Sequence, residues 1–350
     1  MRRPRAAGPR SPRPRHWRWV LGALLGVAAL ACRGRAPAPA EPGAAAEPTR
    51  PVASSALPLA LVAEDARAPR WRHPAVPRLV AVGDLHGDLA AARAALRLAG
   101  AVDERDRWIG SSLVVVQTGD VLDRGDDERE LLAWLDRVAA AARDAGGALH
   151  RLVGNHEVLN VQGDLRYVTS AGLAAFATPG EGGDTDPRLA RFAVEARGRA
   201  RAFLPGGPLA RHLAEQPVVL VVGDSVFVHG GLREAHLRYG VTRLEREARA
   251  FMTGEGGAPP ALVGEESPVW SRRYSDDPLA PGACAEAERV TTALGVARMV
   301  VGHTVQQSGI TSACEGRVWR IDVGLSAYYG GGLGALEITA AGARALRPGR

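Results

Sequence analysis

The chain has 350 residues, room for one large or two ordinary domains, with 44 basic and 38 acidic residues and a formal net charge of +6. Every basic residue is arginine, and seven of the 44 fall in residues 1–31, which hold no acid; the remainder carries 37 against 38. The basic character therefore belongs to the leader, and nothing in the charge of the body argues for nucleic acid as a partner.

Arg2, Arg3, Arg5, Arg10, Arg13, Arg15 and Arg18 form a positive region ahead of the apolar run Val20–Ala31. That run is too short for a comfortable membrane span and reads as an export signal over residues 1–31. It ends Ala29-Leu30-Ala31-Cys32, close to a lipoprotein cleavage site except that Ala29 stands where Leu is usual. Either Cys32 is the first mature residue and carries a lipid, or cleavage is ordinary, or the segment stays as an anchor. The expected location is outside the cytoplasm, in the periplasm or held to a membrane through Cys32. Residues 32–77, rich in Ala, Pro, Arg and Glu without periodicity, read as a linker, with Leu57–Val62 a candidate ordered piece.

The folded body is expected over 78–345. Strands are predicted at Leu79–Val82, Leu113–Gln117, Leu149–Val153, Val218–Val222, Ser225–His229, Met299–Val301, Gly309–Ser312, Val318–Val323 and Ala335–Ile338. Helices are predicted at Leu89–Leu98, Arg129–Asp144, Arg188–Leu204, Val241–Met252 and Ala285–Leu294. Strand and helix alternate in the first half, and strands crowd the second, as in an α/β protein with a mixed sheet. The helical stretch 159–212 interrupts that order and reads as an insertion over the active site. The loop 254–282 is long enough to suspect of function. Cys284 and Cys314 are either two buried thiols or a disulfide, which would contribute about 3–4 kcal/mol by closing a roughly 30-residue loop.

Apolar strand-like runs end repeatedly in a metal-ligand residue: Gly83-Asp84-Leu85-His86-Gly87, Gly119-Asp120, Gly154-Asn155-His156, Val228-His229-Gly230-Gly231 and Gly302-His303. Two carboxylates (Asp84, Asp120), three imidazoles (His86, His229, His303) and one amide (Asn155) suit Mn, Fe, Zn or Ni and include no thiolate. Six side chains are too many for one catalytic ion with an open position. They fit two ions sharing a carboxylate, with Asp120 the natural bridge.

The ordered motifs, with Gly119-Asp120-Val121-Leu122-Asp123-Arg124-Gly125 and Gly154-Asn155-His156-Glu157 among them, resemble the calcineurin-like metallophosphoesterases, in their phosphoprotein phosphatase branch. Gly163-Asp164-Leu165-Arg166-Tyr167-Val168 and Val318-Trp319-Arg320-Ile321-Asp322-Val323-Gly324 resemble the bacterial-type Shewanella-like protein phosphatases. The resemblance implies a two-sheet α/β/β/α sandwich. It implies two divalent ions, Mn first with Fe or Zn as alternatives, one held by Asp84, His86 and Asp120, the other by Asp120, Asn155, His229 and His303. It implies a metal-bridging hydroxide as nucleophile, His156 paired with Asp123 as general acid, and Arg124 clamping the phosphate. Arg272 stands at the step of a second clamp, with Arg273 its competitor. The implied activity is phosphomonoester hydrolysis on a phosphorylated protein (phosphotyrosine or phosphoserine/threonine) or a small phosphate ester. The alternatives are a dinucleoside polyphosphate hydrolase and a metal-containing surface protein that binds phosphorylated ligands without hydrolysis.

Overall fold

The computed structural model describes residues 71–177 and 186–349. The export signal, Cys32 and Leu57–Val62 lie outside the described residues. Among the described residues eleven strands form two sheets: β1 (Arg72–His73), β2 (Arg78–Val82), β3 (Val114–Gln117), β4 (Ala148–Arg151), β5 (Val219–Val222), β6 (Ser225–Val228), β7 (Arg298–Val301), β8 (Thr311–Ala313), β9 (Val318–Arg320), β10 (Ala335–Thr339) and β11 (Gly342–Leu346). One sheet runs β11-β10-β2-β3-β4, the other β1-β5-β6-β7-β9-β8. The helices are α1 (Leu89–Leu98), α2 (Glu128–Asp144), α3 (Asn155–Gln162), α4 (Ser170–Ala175), α5 (Arg197–Phe203), α6 (Pro208–Leu213), α7 (Glu234–Tyr239), α8 (Val241–Thr253), α9 (Pro260–Val263) and α10 (Ala283–Leu294). None of the described helices is long and apolar enough to cross a membrane.

Strand alternation sorts the core into layers. Leu79 and Ala81 of β2 and Val114 and Val116 of β3 meet Leu220, Phe227 and Val300 of the other sheet in one buried cluster. Their neighbours Val80, Val82 and Val115 face outward, in a cluster with Leu96 of α1 and Leu131 and Leu135 of α2. Strands buried on both faces read as continuous apolar runs, which is why β2, β3 and β7 are legible in sequence.

Direction then places the chemistry. β2, β3 and β4 run parallel, with Val82 opposite Gln117 and Gln117 opposite Arg151. β6 and β7 are parallel too, with Val228 opposite Val301. The carboxyl ends of these strands carry Asp84, Asp120, Asn155, His229 and His303 a few residues further on, the usual position of sites in open α/β sheets.

Several expectations need correcting. The fold reaches back past Arg78, because Trp71 is buried and Arg72–His73 pair with Val221–Val222 of β5. The 159 boundary of the expected insertion cuts through α3, which begins at Asn155 itself. The helix expected over Arg188–Leu204 is two 3-10 turns (Pro187–Arg191, Val194–Ala196) followed by α5. Phe192 between them is extended and packs onto a small cluster of Leu189, Ala200 and Leu204, which bends the chain there. Of the two alternatives for the cysteine pair, the disulfide is the one present: it joins Cys284 at the start of α10 to Cys314 after β8.

Candidate metal centre

Backbone geometry aims the ligands. His86 (φ 46°), Asp120 (56°) and His303 (66°) all occupy the left-handed region, as do Asp123 (67°) and Arg124 (71°). Such conformations cost about 1–3 kcal/mol each and hold only where surroundings enforce them. The glycines before the ligands make room for close approach. A Cβ on Gly154 would lie 2.2 Å from Asp120 Oδ1, and one on Gly302 would lie 2.4 Å from Asp84 Oδ1.

Hydrogen bonds fix the imidazole tautomers. His86 Nδ1 donates to Leu122 O at 3.1 Å and His229 Nδ1 to Thr118 O at 2.9 Å, so both present Nε2 to the centre. His86 Nε2 is 3.9 Å from Asp84 Oδ2 and 3.7 Å from Asp120 Oδ2. His229 Nε2 is 3.2 Å from Asp120 Oδ2 and 2.8 Å from Asn155 Oδ1. The His303 backbone N–H donates to Asp84 Oδ2 at 3.1 Å. Two groups of ligand atoms each lie within 4.8 Å of one another: His86, Asp120 and His156, and Asp120, His229 and His303. Asp120 belongs to both. Among the described residues the structure thus brings all six expected ligands to one place. It adds His156 to the first group, where Asp84 was expected to stand with His86 and Asp120.

The chemistry of the donor set fits cations. His303 Nε2 is buried without a hydrogen-bond partner. Burial and the neighbouring Asp322 push the Asp84 carboxyl well above its ordinary range. Burial disfavours charge on His229, yet Asp120 and Asp84 outweigh it and lift the imidazole to about 10. Burial, His229 and Arg272 hold His303 well below its ordinary value, and burial takes His86 down to about 4. Buried acids and bases this crowded are what divalent ions would satisfy by direct ligation.

Around the ligands stand the other expected residues. His156 Nδ1 donates to Asp123 Oδ2 at 2.6 Å, and its Nε2 is 3.8 Å from Asp120 Oδ2. Burial works against the imidazolium, but Asp120 and Asp123 outweigh it and raise the His156 pKa. Arg124 lies between the rings of Tyr167 (4.0 Å to the centroid) and Tyr328 (4.9 Å), donates from Nη1 to Tyr328 Oη at 2.9 Å, and has a buried Nε with no partner. Arg272 Nη1 donates to Thr304 Oγ1 at 2.8 Å, beside His303, whereas Arg273 Nε is tied to Glu286 at 2.7 Å. The loop bearing Arg272 is anchored to the site, because Gly230 and Gly231 N–H donate to Pro268 O at 2.8 and 2.9 Å. Tyr167, in the segment after α3, lies against His156 with ring centroids 5.1 Å apart and planes tilted by 46°. Arg166 pairs with the adjacent Asp164 instead.

Sequence reasoning missed the supporting carboxylates. Glu157 is buried and accepts backbone N–H groups from Asp120, Val121, Leu122 and Gly154 at 2.8–3.1 Å. Glu128 accepts the Asp123 N–H at 2.6 Å. Asp322, buried, accepts the Gly324 N–H at 2.9 Å and raises Asp84. Glu157 and Asp322 stand inside quoted motifs, and that was the one available signal. Glu128 carries none, since it stands one residue before the helix expected at Arg129–Asp144 and only the structure draws it into α2.

A family profile described as calcineurin-like phosphoesterase matches residues 77–307. Shewanella-like protein phosphatase 2 of Arabidopsis thaliana is 42% identical over 286 residues, covering 73% of this chain and 73% of that one. A solved structure of a cold-active protein-tyrosine phosphatase from a psychrophilic Shewanella species shares 20% identity with a TM-score of 0.61, covering 80% of this chain and 84% of that one. A serine/threonine protein phosphatase from Saccharomyces cerevisiae shares 14% identity with a TM-score of 0.53, covering 81% and 85%. At those identities the two structures speak to the fold alone.

Proposed function

The chain belongs to the calcineurin-like phosphoesterases, and we propose that within that family it is a protein phosphatase, using two divalent ions, manganese first, on phosphotyrosine. The observation that carries this reading is Asp120, shared by two ligand groups with His156 on one side of it. When bound, two such ions would supply an activated water and neutralise charge on the phosphoryl oxygens. Asp84, His86 and Asp120 would hold one, and Asp120, Asn155, His229 and His303 the other.

The chain's own groups do the rest. Arg124 offers a planar guanidinium with a free Nε to two phosphoryl oxygens, and Arg272 approaches from the His303 side. His156 is assigned to proton delivery rather than ligation. Its Nδ1 is held by Asp123, and its raised pKa keeps a proton available on Nε2 for the departing oxygen. Tyr167, Tyr328 and Tyr329 line this side of the site, and their rings suit an aryl phosphate. The Shewanella-like relative supports a phosphorylated protein as substrate.

Turnover of the manganese-loaded protein on phosphotyrosyl peptides, phosphoseryl and phosphothreonyl peptides and diadenosine tetraphosphate tests the reading. Preference for the phosphotyrosyl peptides is expected. Preference for the dinucleotide, or tight peptide binding without phosphate release, would overturn it. Residues 1–31 and Cys32 further lead us to infer export, with lipid attachment at Cys32. Radiolabelled palmitate incorporated in the intact chain but not in Cys32→Ser is the expected result, and equal labelling of both would refute lipidation.

A further inference from the structure

Behind the His156–Asp123 pair lies a cluster that neither ligates an ion nor reaches the phosphate site. Arg199, on α5, is fully buried. Its Nη2 donates to Asp123 Oδ1 at 3.2 Å and to Glu128 Oε1 at 2.7 Å, and its Nη1 pairs with Glu128 Oε2. Its Nε donates to Asn160 Oδ1 at 2.8 Å. Asn160 Nδ2 in turn donates to Asp123 Oδ1 and to His156 O, both at 2.9 Å. The rings of Phe176 and Phe203 flank the guanidinium at 5.1 and 4.9 Å.

The consequence is geometric. Asp123 Oδ1 is claimed by Arg199 and Asn160, so only Oδ2 is left for His156 Nδ1. Fixing both oxygens fixes the carboxylate plane, and with it the rotation of the imidazole. Arginine suits this task because its donors form a rigid fork that meets two carboxylates and an amide at once; a lysine ammonium has no such fork. Glu128 Oε1, already bonded to the Asp123 N–H, closes the frame from the other side.

We propose that Arg199, acting with Asn160 and Glu128, is a positioning residue that aims His156 Nε2 at the leaving oxygen. This rests on the general-acid reading of His156 given above. It also gives the segment after α3 a role: α5 packs against α3 and carries the brace for the proton donor.

The test compares two phosphate monoesters in the metal-loaded full chain. p-Nitrophenyl phosphate leaves as a stabilised phenoxide that needs little protonation, whereas glycerol 2-phosphate leaves as an alkoxide that must be protonated. Arg199→Lys should lower kcat on glycerol 2-phosphate by ~10–100-fold and on p-nitrophenyl phosphate by no more than ~3-fold. KM values and metal content should hold. In a His156→Ala background the same substitution should add nothing on either ester, since it acts through His156. Asn160→Ala, a milder lesion, should reproduce the split if Arg199→Lys does not fold. Equal losses on both esters, or an Arg199→Lys loss that persists in His156→Ala, would overturn the proposal. If His156→Ala itself shows no split, the general-acid reading falls and this proposal with it. A split in His156→Ala but in neither brace variant removes Arg199 alone.

Discussion

Glu157→Gln is the sharpest probe of how the ligand loops are held. Glu157 Oε2 accepts the N–H groups of Asp120 and Gly154, both at 2.8 Å, and Oε1 those of Val121 and Leu122 at 2.9 and 3.1 Å. The carboxylate thus ties the loop after β3 to the N-terminus of α3. Burial and the Asp120 charge raise its pKa above the ordinary carboxylate value, although the Asp120 and Gly154 N–H groups pull the other way. Four converging donors leave no acceptor for a carboxylic O–H, which argues that Glu157 is ionised in the fold. Glutamine is isosteric, but one end of its amide is a donor. Whichever way it turns, two buried N–H groups lose their acceptor. At about 1–3 kcal/mol for each orphaned donor, the loss is ~2–6 kcal/mol. For a domain of this size that corresponds to a fall in Tm of about 5–20 °C. Thermal unfolding should be followed on metal-stripped protein at neutral pH, so that metal linkage does not enter. A shift below ~2 °C would refute the reasoning, because it would mean that Glu157 is already neutral and that glutamine replaces it without loss.

Three further outcomes are expected. Glu245 on α8 is buried against the N–H groups of Val218 and Val219, and burial raises its pKa from about 4.5 to about 8. An acid whose folded pKa lies above its unfolded value loses stability as pH rises between the two, here by at most about 1.4 kcal/mol per pH unit. Urea unfolding across pH 5–8 should show that decline in the wild type and a flatter profile in Glu245→Gln; parallel profiles would contradict it. Replacing Cys284 and Cys314 by Ala opens a link between residues 30 apart and should cost about 4 kcal/mol, read as a lower urea midpoint, with reductant no longer affecting the variant. Arg272→Ala should lower kcat/KM by ~10–100-fold, the worth of a charge-assisted contact to phosphate, while Arg273→Ala should act on stability through Glu286. The reverse pattern would make Arg273 the clamp.

What was legible in the sequence follows from where the physics is local. A strand buried on both faces is a run of Val, Leu and Ala, so β2, β3 and β7 stand out. Each ligand sits just past such a run, so the site could be read as a series of strand ends. β1 and β11 could not be read that way. Arg72–His73 is two residues long, and Gly342–Leu346 reads Gly-Ala-Arg-Ala-Leu, with no β-branched or aromatic residue; both are strands only because a neighbour offers an edge. α3 was hidden because its first turn is also the Asn155-His156-Glu157 motif, which looks like a loop until the Gly154 cap is seen. Arg199 was illegible for a different reason. Among so many arginines its spacing is unremarked, and its significance depends on Asp123 and Glu128, more than 70 residues earlier in the chain.

The central claim is that Asp120 joins two ions in one hydrolytic centre. It is tested most directly by titrating metal-stripped protein with Mn²⁺ while following p-nitrophenyl phosphate turnover, for the wild type and for Asp120→Asn. The account predicts that wild-type turnover climbs to a break at about two equivalents and that Asp120→Asn neither turns over nor retains two ions. Full turnover in excess chelator, or a wild-type break at one equivalent that Asp120→Asn shares, would contradict it.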